Sequence, residues 1–211
     1  MTRRTRVWAY TFCLFFAVHG DVDARRDSDV FYLTSESFFF VMIMKYVPHS
    51  MKEIVAVLPN IRSLHNVGSA FRTADAAGVS KLYLSGITPK PVDPLGNYRR
   101  EIAKVALGAE RTVPWEYSRS TAALLKKLKK AGYTIFAVEQ SKKSIPYYAL
   151  NPKPYALRKV ALVVGNEVKG LPPGILRMAD KILEIPMRGK KESLNVSVAF
   201  GIVLFGLVYN K

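Results

Sequence analysis

Val160-Ala-Leu-Val-Val-Gly-Asn-Glu167 runs apolar without a break and then turns polar at a glycine. A continuous apolar run is expected of a strand covered on both faces, as in a parallel sheet. Thr134-Ile-Phe-Ala-Val138 reads the same way, and Ile54-Val-Ala-Val-Leu58, closed by Pro59, is a further buried strand. Lys81-Leu-Tyr-Leu84 and Ile182-Leu-Glu-Ile185 are shorter candidates. Helical patterns fill the gaps between them. Asn66 is placed to cap a helix over 67–77, with Val67, Ala70, Phe71 and Ala74 at helical spacing and Gly78 as its stop. A short helix is expected over 100–107. An amphipathic one follows over 120–130, with Ala123, Leu124 and Leu128 inward and its lysines outward. Prolines 89, 91 and 94 make 87–98 a loop, and an apolar helix over 194–209 closes the chain. Strands alternating with helices predict an α/β domain with a mainly parallel sheet flanked by helices.

Composition agrees with a folded domain. The 211 residues are 49% hydrophobic and 23% charged, which excludes a disordered, collagen-like or disulfide-scaffold protein. The single cysteine, Cys13, excludes an internal disulfide and a cysteine-rich zinc site, and no metal is expected. The net charge of +16 favours a polyanionic partner. That charge is segregated: residues 1–50 carry a net +1 and residues 51–211 a net +15. Residues 1–50 also differ in pattern. Arg3, Arg4 and Arg6 precede an apolar run over 7–18 that is too short to span a bilayer, as is a second over 38–47. The stretch is open to three readings: a secretory leader, a native extension, or upstream sequence outside the native domain, with the start at Met44 or Met51. The domain is expected over 51–211.

Three segments have the makings of a site. In Pro59-Asn-Ile-Arg-Ser-Leu-His-Asn66 and the helix beyond it, a strand opens into a helix, where ligands bind in open α/β sheets. Asn66 and Arg72 are its candidates; the plain alternative is a cap and a solvated arginine. In the second segment Gly165 ends a buried strand and Glu167 sits in the turn, either beside a ligand or as an ordinary strand-to-helix turn. The glycines fit neither a dinucleotide fingerprint nor a P-loop. The third is Ile185-Pro-Met-Arg-Gly-Lys-Lys-Glu-Ser-Leu-Asn-Val-Ser-Val-Ala199. Here Ser193 is either a helix cap or, with Asn195, a substrate contact, while Arg188, Lys190 and Lys191 can face phosphates.

Together the N-x5-R-T-A-x3-G helix, the G-N-E turn and the I-P-M-x-G-x3-S-L-N-V-S-V-A stretch resemble the three motifs of the SpoU-type (TrmH-like) RNA ribose 2′-O-methyltransferases of the SPOUT superfamily. The resemblance spans about 51–208. It implies an α/β fold with a C-terminal trefoil knot, and S-adenosylmethionine bound by Gly165, Asn166, Ile185, Met187 and Leu194. It further implies Arg72 as activator of the ribose 2′-hydroxyl, facing the bound methyl donor rather than solvent, with Asn66, Glu167, Ser193 and Asn195 completing the catalytic set. Arg62, Arg188, Lys190 and Lys191 would meet RNA, either tRNA or rRNA. The family often has glycine where this chain has Val168, whose β-branch disfavours positive φ, so a different local turn is expected. The closing helix has no polar face, which calls for cover on both sides and, with the resemblance, for a homodimer through that helix. A cytoplasmic enzyme without membrane contact is the expectation; a non-catalytic RNA-binding protein on the same fold is the alternative.

Overall fold

The computed structural model describes residues 53–150 and 158–209. The 1–50 segment and the domain start at Met51 lie outside the described residues. In chain order the elements are β1 (Glu53–Pro59), α1 (Leu64–Ala77), β2 (Lys81–Ser85), α2 (Arg100–Ala106), α3 (Ala109–Thr112), β3 (Trp115–Ser118) and α4 (Thr121–Lys130). There follow β4 (Thr134–Val138), β5 (Ile145–Pro146), a 3-10 turn (Tyr147–Ala149), β6 (Lys159–Val164), α5 (Pro173–Leu176), β7 (Lys181–Glu184) and α6 (Val196–Tyr209).

Among the described residues seven strands form one sheet in the order β3-β2-β1-β6-β4-β7-β5. Every neighbouring pair is parallel. The apolar runs explain this arrangement, because strands without a polar face need cover on both sides. One face packs against α1, α2 and α6 through Phe71, Ile102, Phe200 and Leu204, and the other against α4 and α5 through Leu125, Leu128 and Ile175. β6 lies between β1 and β4 although it forms after both in sequence, and β7 likewise lies between β4 and β5. The C-terminal ends of β1, β4, β6 and β7 therefore open on one edge of the sheet, where α/β folds place ligands.

Several boundaries differ from expectation. α1 begins at Leu64, and its cap is Ser63, whose side chain accepts from the Asn66 N–H at 3.3 Å. Asn66 thus lies inside the first turn and is not the cap. Gly78 does stop the helix, in left-handed conformation at φ 72°. On α4 the inward residue beside Leu124 is Leu125, and Ala123 is exposed. α6 starts at Val196, where Asn195 accepts from the Ser197 N–H at 2.8 Å, so Ser193 is not its cap. β3, β5, α3 and α5 had no clear pattern in the sequence, each being too short for one.

Candidate active site

The exit of β1 is pinned from several sides. Asn60 takes a left-handed conformation (φ 57°), and its Oδ1 accepts from the Ile87 N–H at 3.1 Å. A Cβ on Gly86 would lie 2.0 Å from that Oδ1, so a side chain there would displace the contact. Thr88, buried in the loop after β2, accepts from the Ile61 N–H at 2.9 Å and donates to the Leu58 carbonyl at 2.6 Å. The next residues are thereby held at the mouth of α1.

Glu167 meets them there. Its carboxylate accepts from the backbone N–H of Arg62 (3.2 Å) and of Ser63 (3.2 Å), and from Asn66 Nδ2 at 3.0 Å. A carboxylate at a helix N-terminus satisfies donors the helix leaves free and complements the dipole. Burial works to raise the Glu167 pKa. Hydrogen bonds from Asn66 and from the backbone, Arg62 and Ser63 included, outweigh it and hold the carboxyl below its ordinary value. Asn66 Oδ1 in turn accepts from Asn195 Nδ2 at 3.1 Å, and Asn195 Oδ1 accepts from Ser197. One hydrogen-bonded chain, Glu167–Asn66–Asn195, thus joins all three motif segments.

The 165–170 turn is fixed mainly by its own chain. Asn166 and Gly170 exchange backbone hydrogen bonds, and Asn166 Oδ1 accepts from the N–H groups of Val168 and Lys169. Asn166 Nδ2 donates to the Asn60 carbonyl. The Asn166 side chain is therefore committed to the turn. Gly165 was expected to admit a ligand; a Cβ there would sit 3.0 Å from both Glu139 and the Gly170 backbone, so close packing already requires the glycine. Val168 fits because positive φ falls on Gly170 (61°) instead, leaving Val168 exposed in ordinary backbone. Glu139, at the end of β4, accepts from the Leu171 N–H at 2.7 Å and holds the turn from below.

After β7, Ile185 and Met187 are half-buried and Leu194 is exposed. The backbone of Met187 makes no hydrogen bond among the described residues. Gln140 Nε2 reaches the Glu192 carbonyl at 2.7 Å and ties this segment to the loop after β4. An apolar strip beside unpaired backbone suits a flat, polar-edged base, so these residues fit an adenosine-bearing cofactor.

The remaining candidates stand apart. Arg72 is exposed on α1 and has no hydrogen bond or ion pair among the described residues, rather than facing inward to the site. Ser193 is likewise exposed and unbonded. Arg62, Arg188, Lys190 and Lys191 are exposed cations, none in an ion pair among the described residues. No group of three His, Cys, Asp or Glu side chains is placed to hold a metal among the described residues. Asn60, Glu139 and Gln140 went unnoticed in the sequence. Asn60 had one signal, its Pro-Asn position at a strand end; Glu139 and Gln140 act across 32 and 52 residues and had none.

The chain matches the SpoU rRNA Methylase family over residues 53–205. It belongs to that family. Among relatives of this chain, the 23S rRNA (guanosine-2'-O-)-methyltransferase RlmB of Neisseria meningitidis is 36% identical over 72% of this chain and 56% of its own. The tRNA (guanosine(18)-2'-O)-methyltransferase of Aquifex aeolicus is 34% identical over 73% of this chain and 68% of its own. In fold it resembles the AdoMet-bound rRNA methyltransferase from Sinorhizobium meliloti, with TM-score 0.65, 31% identity and coverage of 75% of this chain and 57% of that one. The chain thus spans little more than half the length of several relatives.

Proposed function

We propose that this chain transfers a methyl group from S-adenosylmethionine to a ribose 2′-hydroxyl of tRNA or rRNA. The observation that carries the reading is the Glu167–Asn66–Asn195 chain, which locks three separate segments into one site at the sheet's C-terminal edge. Relatives named for guanosine 2'-O-methylation of 23S rRNA and of tRNA support the reaction class.

Ile185, Met187 and Leu194, with the backbone of the Gly165–Asn166 turn, would hold the cofactor. When bound, S-adenosylmethionine would supply an electrophilic methyl carbon for the 2′-oxygen, its sulfonium becoming the thioether of S-adenosylhomocysteine and the hydroxyl proton passing to water. Asn66 and Asn195 orient one another and leave their remaining polar positions for the ribose. Glu167 fixes the entry to α1 and acts through Asn66 rather than as a base. Arg72 cannot serve as an ordinary base, since its pKa lies above about 12. Exposed and unpaired, it is suited to grip the phosphate beside the target ribose and so set the hydroxyl in line. Ser193, Arg62, Arg188, Lys190 and Lys191, all exposed, are suited to contact RNA.

Two further parts belong to this reading. The late insertion of β6 and β7 between earlier strands is consistent with a knotted C-terminus. On α6, Val198 and Tyr209 are exposed and Ile202 and Phe205 only half covered, an apolar stripe at helical spacing that fits a second copy. The catalytic unit runs over 51–211 in the cytoplasm. Among the described residues no helix is long and apolar enough to cross a membrane.

The test is transfer of labelled methyl from cofactor to transcribed tRNA and rRNA fragments, mapped by resistance of the modified linkage to alkali. RNA and cofactor binding without transfer would replace the enzyme reading with the non-catalytic one.

A further inference from the structure

A groove of about 610 Å³ lies between the turn at 141–144 and residues 173–182. None of its lining residues belongs to the proposed cofactor or catalytic set. Its floor is apolar, from Ile145, Leu176 and Ile182, and its rim carries Lys142, Lys143, Arg177 and Lys181. All four cations are exposed, and none forms an ion pair among the described residues. The one acid on the rim, Asp180, is already engaged by Lys129 Nζ at 2.8 Å and the Ile135 N–H at 2.7 Å. Its charge therefore does little to offset the lysines.

The rim is built rather than loose. Ser144 Oγ donates within the turn to the Ser141 carbonyl and lies 2.6 Å from Glu184 Oε2, and the Lys143 N–H donates to Ser141 Oγ at 3.1 Å. The turn is also continuous with the motif segments: Gln140, one residue before it, bonds to Glu192 beside Lys190 and Lys191. An apolar floor under an unpaired cationic rim matches a nucleotide, with a base face for the floor and phosphates for the rim. The volume lies in the range of sites for single small molecules.

We propose that this groove is a second RNA subsite, holding a nucleotide of the substrate other than the one methylated. The proposal rests on the RNA reading above. It is tested with the full chain and a fluorescent transcribed tRNA, titrated at several salt concentrations, alongside cofactor titration. Lys142→Gln/Lys143→Gln/Arg177→Gln should weaken RNA binding roughly tenfold and flatten the salt slope by about 2, since each lost phosphate contact removes about 0.7–0.9. Cofactor affinity should stay unchanged. The control Lys104→Gln/Lys126→Gln/Lys130→Gln removes the same charge from exposed helix positions and should change RNA binding far less. Equal losses in the two variants, or none in the groove variant, would overturn the subsite and leave the RNA reading standing. Failure of the unaltered chain to bind either RNA or cofactor would overturn both. Loss of binding to acidic lipid vesicles alone, with RNA binding intact, would also overturn the subsite.

Discussion

The first turn of α1 and the turn that carries Arg72 lie on one helix, yet their surroundings differ. At the first turn, Ser63, Asn66, Glu167 and Asn195 bond to one another and to backbone from three segments. Two turns later Arg72 stands in solvent without a partner. The first arrangement is set by the chain itself and needs no ligand. In the proposed reaction the second takes its partner from the RNA. A site divided in this way can bind its cofactor firmly and still leave the reacting hydroxyl to be positioned by the substrate's own phosphate.

The sharpest test of that division is Arg72→Ala. Removing an exposed, unbonded side chain should leave the melting temperature unchanged while single-turnover methyl transfer falls by about 10²–10⁴-fold. Arg72→Lys should rescue little, because an ammonium cannot reproduce bidentate contact with a phosphate. Near-normal transfer in the alanine variant would return Arg72 to the surface.

The opposite pattern is expected on the pre-set side. Gly170 holds φ 61°, and a Cβ there would come 2.2 Å from Glu139. Gly170→Ala should cost about 1–3 kcal/mol of unfolding free energy, read by denaturant titration, and should weaken cofactor binding with it. Unchanged stability would mean that the turn is looser than its hydrogen bonds suggest.

Glu167→Ala should cost less, about 1 kcal/mol, because its bonds lie near solvent. Glu167 titrates below its ordinary value when folded, so its contribution is present above the unfolded carboxylate pKa of about 4.3 and is lost as pH falls through the folded one. The stability gap between the native chain and Glu167→Gln should therefore close below about pH 4. A gap that persists in acid would assign the effect to shape and not to charge. Smallest of all should be Val168→Gly, at an exposed position of ordinary φ. It should shift stability by under about 0.5 kcal/mol in a melting experiment; a larger gain would show that the valine strains the turn.

The long apolar strands and the amphipathic helices were legible because burial writes itself into composition over five or more residues. The start of α1 was misplaced because Ser63 and Asn66 are both good caps three residues apart, and only the structure shows which one accepts from the other. Asn66, Glu167 and Asn195 could be named as candidates, but their bonding to one another spans more than 100 residues of chain and has no local pattern. Glu139 was hidden for the same reason. Arg72 was expected to face inward because the family motif names its role, and a motif carries no information about exposure before substrate binds.

The place of β6 in the sheet has a consequence for how the protein is made. Its residues pair with β1 across more than 100 positions of sequence, as in Val55 with Ala161. A chain leaving the ribosome presents β1 with one neighbour, β2, and keeps its other edge open through the synthesis of α2, α3 and α4. Closing so long a loop is slow, and an unpaired apolar edge invites other chains to fill it. The middle of the sheet is thus among the last parts to be completed, and the open edge of β1 stays unpaired until residue 164 has emerged.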